Sequence, residues 1–173
     1  MSCLEPAANR GYMACALKEF FADVHSSDIM DYGYCEVKDF LKNTYENNSF
    51  DWVITNPPFR LAGEFINEAI KVSRVGVAML VRTVFVEGIK RYNNLYSFNP
   101  PFRVAQFSER VPMIKGRVNK NATTATSYCW MIWVKNGSKN TELFWIPPCR
   151  KKLEKASDYQ LPMERKNGTD NSD

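Results

Sequence analysis

One segment constrains the fold of this chain more than any other. The run FDWVIT at residues 50–55 leads directly into Asn56, Pro57, Pro58 and Phe59. Aromatic and β-branched residues favour a strand, and two consecutive prolines end it because they fix φ and remove two backbone donors. Asn56 is therefore predicted to lie where a buried strand ends, which is where open α/β sheets bind their ligands.

The rest of the chain alternates strand-like and helical patterns. Strands are predicted at residues 2–4, 24–29, 50–55 and 75–81, and helices at residues 12–21 and 61–73. This alternation indicates a mostly parallel sheet covered by helices on both faces, a doubly wound α/β fold. Two later strands, at 103–108 and 127–135, have no helix between them and predict a C-terminal antiparallel hairpin that closes the sheet edge; TELFWI at 141–146 follows.

Length and composition suggest a single soluble unit. The 173 residues, 45% of them hydrophobic, suffice for one domain, which we place at 1–149, followed by a polar and mobile tail at 150–173. No segment approaches the roughly 18 apolar residues of a membrane span, and the N-terminus lacks a signal pattern. We expect a cytoplasmic protein without membrane contact. Its five cysteines and single histidine show no metal-ligand spacing, so we expect reduced thiols and no metal.

Positive charge is concentrated in one segment of the chain. Residues 1–102 carry a net charge of −2, residues 103–155 carry +8 and residues 156–173 carry −2. A solvated, solubilising face is one interpretation; concentration in one segment favours an anionic partner such as nucleic acid.

The Asn-Pro-Pro-Phe segment has the groups needed to recognise a planar NH₂ group. The Asn56 amide oxygen and the Pro57 carbonyl can each accept one hydrogen from a planar NH₂ group, and the Phe59 ring can stack on the attached base. The alternative is a plain strand-terminating turn. The pentapeptide NPPFR recurs at residues 99–103, where it precedes a predicted strand, so we interpret that copy as a structural loop at the opposite edge of the sheet.

A second candidate is the turn in LEPAANRGYM at residues 4–13. Glu5 ends a predicted strand, and small residues from Ala7 to Gly11 let a ligand approach the backbone before a helix begins. Ordinary strand-to-helix turns have a similar pattern, so this segment alone is not specific.

In combination, these motifs resemble a known family. LEPAANRGYM, the acidic residues Asp28 and Asp31, KDFL at 38–41 and DWVITNPPF at 51–59 follow the order found in S-adenosylmethionine-dependent amino-methyltransferases. The chain is most similar, over residues 3–135, to adenine-N6 DNA methyltransferases, including short phage-type members. The resemblance implies a Rossmann-like methyltransferase fold, S-adenosyl-L-methionine as cofactor, and methyl transfer to the N6 amine of adenine in DNA.

The resemblance also implies roles for individual residues. The methionine part of the cofactor would be held by Glu5 and the turn after it, namely Pro6, Ala7, Asn9, Gly11 and Met13. Asp28, with Asp31 as the substitute, would bind the ribose, and Asp39 would contact the cofactor adenine. The catalytic loop would comprise Asn56, Pro57, Pro58 and Phe59, with Asn56 also facing the cofactor.

Some positions depart from the family pattern. Asn9 stands where the first glycine of the turn is expected; it tolerates a left-handed conformation better than most residues but adds a side chain near the cofactor. The chain also starts almost at its first strand and shows no separate target-recognition domain. Either the cofactor site is open, or a partner protein or a second copy of the chain closes it. Sequence specificity is expected to be low or to come from such a partner.

The nucleic acid itself is expected to bind a basic loop. PMIKGRVNKNATTAT at residues 112–126 carries Lys115, Arg117 and Lys120, which could grip a phosphate backbone, a solvated loop being the alternative. DNA is the expected partner and RNA is possible. The same chemistry could instead serve RNA guanine-N2 or protein glutamine, or the chain could be a catalytically inactive nucleic-acid-binding relative.

Overall fold

The computed structural model describes residues 1–42, 44–114 and 119–160. Its strands are β1 (Ser2–Glu5), β2 (Asp23–Asp28), β3 (Glu36–Val37), β4 (Phe50–Thr55), β5 (Ser73–Arg82), β6 (Arg103–Phe107), β7 (Tyr128–Val134) and β8 (Glu142–Ile146). Its helices are α1 (Tyr12–Leu17), α2 (Ala62–Val72), α3 (Ile89–Arg91) and α4 (Arg150–Leu153). Single 3₁₀ or π turns cover Phe40–Lys42, Phe59–Leu61, Thr83–Val86, Tyr92–Tyr96 and Ala156–Tyr159.

The strands form one mixed sheet in the order β3-β2-β1-β4-β5-β7-β6-β8. Strands β1 to β5 pair in parallel, and β7 lies antiparallel between β5 and β6. The predicted α/β sheet with a C-terminal antiparallel hairpin is thus confirmed. The hairpin does not close the sheet edge, however, because β8 pairs in parallel with the outer side of β6, and an ion pair of 2.7 Å between Arg103 and Glu142 supports that register.

The main core lies between the sheet and α2. Phe65, Ile66 and Ala69 recur at helical spacing on α2 and are buried against Val53 of β4 and Val77 of β5. Burial of this apolar stripe is the principal source of stability on this face. The predicted helix after the prolines is confirmed, and it fixes the direction in which the chain leaves the Asn56 position.

The first helix is shorter than predicted. The spacing of Met13, Leu17, Phe20 and Phe21 predicts a helix to residue 21, but α1 ends at Leu17 and Phe20 is 80% exposed. After Leu17 the backbone hydrogen bonds are mixed: the Leu17 carbonyl accepts the N–H of Phe20, three residues on, and that of Phe21, four residues on, both at 2.9 Å. Since α1 buries only Ala14, it has little apolar surface over which to extend.

The two copies of NPPFR lie at opposite edges of the sheet, as predicted. Asn56 follows the carboxyl end of β4, whereas Asn99 precedes the amino end of β6, where its carbonyl accepts a hydrogen bond of 3.0 Å from the Trp133 indole. Because β6 runs in the same direction as β4, these ends point away from each other.

The polar segment from residue 150 begins with α4 and the turn Ala156–Tyr159, and residues 161–173 lie outside the described part. Within the described ranges, no helix combines the length and the apolar character needed to cross a membrane. The same ranges bring together no group of three or more histidine, cysteine, aspartate or glutamate side chains that could hold a metal ion.

Substitutions at two glycines, one in β5 and one in α2, can test the packing of the sheet. A Cβ on Gly76 would lie 2.6 Å from the Trp133 carbonyl oxygen and 2.7 Å from the Trp52 ring, whereas a Cβ on Gly63 in α2 would meet nothing within 4 Å. We expect Gly76→Ala to lower the free energy of unfolding by about 1–3 kcal/mol through overpacking. Gly63→Ala is expected to raise it by about 0.5–1 kcal/mol, since alanine loses less backbone entropy in a helix. Urea denaturation measures both changes, and equal effects of the two substitutions would contradict this packing.

Candidate active site

Parallel pairing brings three strand ends together. Strand β1 lies between β2 and β4, with Glu5 opposite Ser26 and Leu4 opposite Val53. The carboxyl ends of all three strands therefore meet at one edge of the sheet. Glu5, Asp28 and Asn56, each at or directly after one of these ends, are drawn into the same region.

Glu5 is the most unusual side chain in this region. It is 2% exposed, and its Oε2 atom accepts no hydrogen bond from the residues that the structure describes. Burial, assisted by the negative charge of Asp28, raises the pKa of Glu5 to about 8, while a hydrogen bond from the Ala14 backbone acts in the opposite direction. A buried carboxyl oxygen without a partner is suited to a cationic or hydrogen-donating ligand.

The turn after β1 consists mostly of small residues, and three of its residues, Pro6, Ala8 and Gly11, are buried. Asn9 has φ of 49° and so adopts the left-handed conformation expected from its place in the family pattern. Gly11, at φ 83°, precedes α1 and donates its N–H to the Ala8 carbonyl at 2.8 Å. Of the other turn residues assigned to the cofactor, Pro6 is buried, whereas Ala7 and Met13 are half-buried.

Asp28 joins this turn to β2. Its Oδ2 accepts the Asn9 backbone N–H at 2.9 Å and its Oδ1 accepts that of Met30 at 3.0 Å. Asp31 is exposed and accepts the Gly33 N–H at 2.8 Å, which closes a small turn of the outer loop. The structure thus places Asp28, and not Asp31, in direct contact with the turn.

Asp39 lies after β3, the strand next to β2, at the same edge of the sheet. Its Oδ1 accepts the Leu41 N–H at 3.1 Å, and its Oδ2 lies 3.7 Å from Lys42 Nζ. These contacts hold the 3₁₀ turn Phe40–Lys42, and the carboxylate remains about a quarter exposed, with 27% of its side-chain surface accessible.

Tyr34 also belongs to this region, although the sequence analysis did not single it out. Its ring lies against Gly11 so closely that a Cβ there would be 2.2 Å from the ring. The Tyr34 hydroxyl lies 3.7 Å from Cys15 Sγ, and burial raises the pKa of Tyr34 well above its usual value. Only glycine fits at position 11 beneath this ring.

The Asn56 side chain is oriented by a methionine. Its Nδ2 donates to Met113 Sδ at 3.8 Å, while its Oδ1 is buried and accepts no hydrogen bond from the described residues. Thr55, the last residue of β4, also has a buried hydroxyl without a partner among them. The amide therefore offers its acceptor oxygen to a ligand, and its donor side is already engaged.

The rest of the Asn-Pro-Pro-Phe loop is shaped by its neighbours. Pro57 is buried and Pro58 is exposed; the Pro58 carbonyl accepts the Leu61 N–H at 2.8 Å. Phe59 is 37% exposed, with the Arg82 guanidinium 4.7 Å from its ring centroid and the Tyr128 ring centroid at 6.0 Å.

The sequence analysis missed Arg82, Met113 and Tyr128. Arg82 and Tyr128 are register partners on β5 and β7, so their contact with Phe59 depends on strand order, which the local sequence pattern does not reveal. A basic residue at the end of the buried strand 75–81 was the available signal.

The basic loop is described only in part. Lys115 and Arg117 lie outside the described residues. Lys120 has 73% of its side-chain surface exposed; its Nζ lies 3.8 Å from Glu154, and its carbonyl accepts a hydrogen bond of 2.8 Å from Arg150. The structure therefore brings Lys120 next to the segment that follows β8.

Comparisons with known proteins identify the fold. No protein-family model matches the chain, and no curated protein matches it. Solved structures do match. A type I restriction-modification methyltransferase subunit from Streptococcus thermophilus aligns with a TM-score of 0.61 and 11% identity over 94% of this chain and 45% of its own. The tRNA (m1A58) methyltransferase TrmI from Aquifex aeolicus aligns at 0.56 and 14%, over 77% and 61%.

A third match is an S-adenosylmethionine-dependent O-methyltransferase from Thermotoga maritima, with a TM-score of 0.50 and 10% identity over 76% of this chain and 58% of that one. The chain thus spans from somewhat under half to about three fifths of the length of these structures. The protein has the Rossmann-like fold of S-adenosylmethionine-dependent methyltransferases, and its candidate site lies at the edge formed by the carboxyl ends of β1, β2 and β4.

The raised pKa of Glu5 has a measurable consequence for stability. The unfolded chain loses the Glu5 proton near pH 4.5, whereas the folded chain keeps it to about pH 8, so raising the pH through this window favours unfolding. We expect Glu5→Gln to gain stability relative to wild type across this window, by up to about 1.4 kcal/mol per pH unit. Urea denaturation of both proteins between these pH values provides the measurement. A stability difference that stays constant with pH would show that Glu5 titrates normally.

Proposed function

We propose that this protein transfers a methyl group from S-adenosyl-L-methionine to the exocyclic N6 amine of adenine in DNA. The observation that carries the proposal is the state of the Asn56 amide, whose donor is engaged by Met113 and whose buried oxygen remains available to accept. An amino group of a flipped-out base would donate to that oxygen and to the Pro57 carbonyl.

The cofactor region fits S-adenosyl-L-methionine. Glu5, with its unpartnered buried oxygen, would hold the methionine part together with the turn from Pro6 through Gly11. Asp28 would bind the ribose at the end of β2, and Asp39 would contact the adenine. When bound, the cofactor supplies an electrophilic methyl carbon, so the task of this chain is alignment and polar stabilisation.

The chemistry required of Asn56 follows from the reaction. In the transfer, the N–C bond would form as the C–S bond of the sulfonium breaks, and S-adenosylhomocysteine would leave. Positive charge would develop on the nitrogen and make its hydrogens stronger donors until one is lost as a proton to solvent. Acceptors fixed beforehand at Asn56 and Pro57 stabilise that charge more than they stabilise the neutral amine. The exposed ring of Phe59, backed by Arg82 and Tyr128, would pack against the base.

Nucleic acid is favoured as the substrate by the distribution of charge. The segment 103–155, which carries +8, includes β6, β7 and β8 and thus borders the catalytic side of the sheet. Lys115, Arg117 and Lys120 are our proposed phosphate contacts in the loop after β6. Such contacts would position the substrate without reading its sequence.

The repeated pentapeptide offers a matched pair of variants. We expect Asn56→Ala to lower kcat for methyl transfer to an adenine-containing duplex by about 100- to 1000-fold, the usual loss when one fixed transition-state hydrogen-bonding partner is removed. Asn99→Ala removes the same side chain from the other NPPFR copy, where only the backbone carbonyl bonds Trp133, and should leave activity near wild type.

Incorporation of labelled methyl groups, followed by mass spectrometry of the digested product, measures both the rate and the identity of the product. Full activity in Asn56→Ala would overturn the mechanism. Label found in RNA guanine-N2 or in protein glutamine, with none in adenine, would retain the chemistry and change the substrate. If the wild-type protein transfers label to none of these substrates, the chain is a nucleic-acid-binding relative that has no catalytic activity.

A further inference from the structure

The residues after β8 form a strap that begins at the catalytic side of the sheet. We define the C-terminal strap as residues 149–160, which include α4 and the turn Ala156–Tyr159. Its start is fixed by Glu109, whose Oε1 accepts the backbone N–H groups of Cys149 at 2.6 Å and Arg150 at 2.7 Å. Those hydrogen bonds also lower the pKa of Glu109, so its carboxylate stays charged.

The strap begins on the same edge as Asn56. Glu109 comes two residues after the carboxyl end of β6. Strand β6 is antiparallel to β7, which is antiparallel to β5, so β6 runs parallel to β4 and ends at the same side. Further along the strap, Lys155 Nζ reaches both carboxylate oxygens of Glu19 at 2.7 Å, two residues beyond the end of α1.

Between the strap and the loop after β6 there is an open cleft of about 550 Å³. We call it the basic cleft; its lining residues are Lys120, Lys151, Glu154, Lys155, Ala156 and Tyr159. The loop is tied to the strap by the hydrogen bond from Arg150 to the Lys120 carbonyl. The cleft therefore has walls from two segments that both leave the catalytic edge.

Some of the charged side chains around the cleft form ion pairs, and others do not. Lys155 is paired with Glu19, and the Glu154 carboxylate accepts the Tyr159 hydroxyl at 2.6 Å while lying 3.8 Å from Lys120. Lys151 and Lys152 are exposed and form no ion pair with any residue in the described ranges. A polyanion can engage these two lysines without breaking an existing pair.

We propose that the basic cleft and the adjoining exposed surface of α4 bind the sugar-phosphate backbone of the nucleic acid substrate, an inference that rests on the proposed function. The phosphate contacts would be Lys151, which lines the cleft, and Lys152, the next residue of α4. Backbone phosphates match exposed lysines on a fixed strap, and the Tyr159 ring provides an apolar wall for a sugar. Because the strap starts at the catalytic edge, a strand held there continues towards the Asn56 loop.

The test compares two double variants with the same change of charge. Lys151→Ala/Lys152→Ala removes the proposed contacts, and Lys135→Ala/Lys139→Ala removes two lysines after β7, at the opposite edge. Binding of a fluorescent mixed-sequence DNA duplex is measured over a range of salt concentrations. We expect the slope of log K against log salt to become shallower by about 1.8 in the strap variant, 0.9 for each lost contact, and to stay unchanged in the control.

Lys151→Arg/Lys152→Arg keeps both charges and should restore the wild-type slope. Thermal melting of each variant verifies that it is folded, and a shallower slope in a folded strap variant supports the proposal. The same slope in both alanine variants would overturn it.

The outcome is independent of the catalytic test. If wild type binds DNA and methylates adenine but the strap variant keeps its slope, the cleft is not a phosphate site and the proposed function stands. If wild type methylates no adenine but the slope of log K against log salt becomes shallower in the strap variant, the proposed function is wrong and the cleft remains a nucleic-acid site. Tighter binding of a single-stranded RNA than of the duplex, with the same loss in the strap variant, would overturn DNA as the occupant.

Discussion

The candidate site depends on one strand being paired in parallel on both sides. Strand β1 contributes only four residues, yet its pairing with β2 and β4 sets the relative positions of Glu5, Asp28 and Asn56. The Asp28 carboxylate strengthens this arrangement because it accepts the Asn9 backbone N–H and so locks the turn against β2. A shift of β1 by one residue would turn Glu5 to the other face of the sheet and separate these groups.

Of the five buried side-chain atoms without a hydrogen-bond partner in the described part of the chain, three lie at this edge, and those of Ser49 and Ser73 lie at the opposite one. Glu5 Oε2, Thr55 Oγ1 and Asn56 Oδ1 are buried without a hydrogen-bond partner in the described part of the chain. Each such group costs about 1–3 kcal/mol in desolvation. The apolar core beneath α2, which contributes nothing to the chemistry, offsets that cost. Stability and binding capacity therefore come from different parts of the sheet. The face covered by α2 supplies stability, and the edge with the unpartnered polar atoms supplies binding capacity.

The sequence predicted the parts of this structure that are local. The strand ended by Pro57 and Pro58 and the helix after the prolines both follow from neighbouring residues. Contacts between distant segments were not predictable in this way. Tyr34 against Gly11 and Met113 on Asn56 depend on how loops pass over the sheet. The exposed Phe20 shows the converse, since helical spacing alone does not create a surface to pack against.

The same fold occurs in methyltransferases of different kinds. The matching structures include a restriction-modification methyltransferase subunit and a tRNA methyltransferase, which share the sheet at identities of 11% and 14%. In this protein, Met113 and the Arg82–Tyr128 pair contact the Asn56 loop, and the C-terminal strap begins at the same edge of the sheet. All three come from residues after the Asn-Pro-Pro-Phe segment, where the positive charge is also concentrated. The first part of the chain therefore supplies the groups proposed for the cofactor and the chemistry, and the part after residue 80 supplies the surface that decides what reaches them.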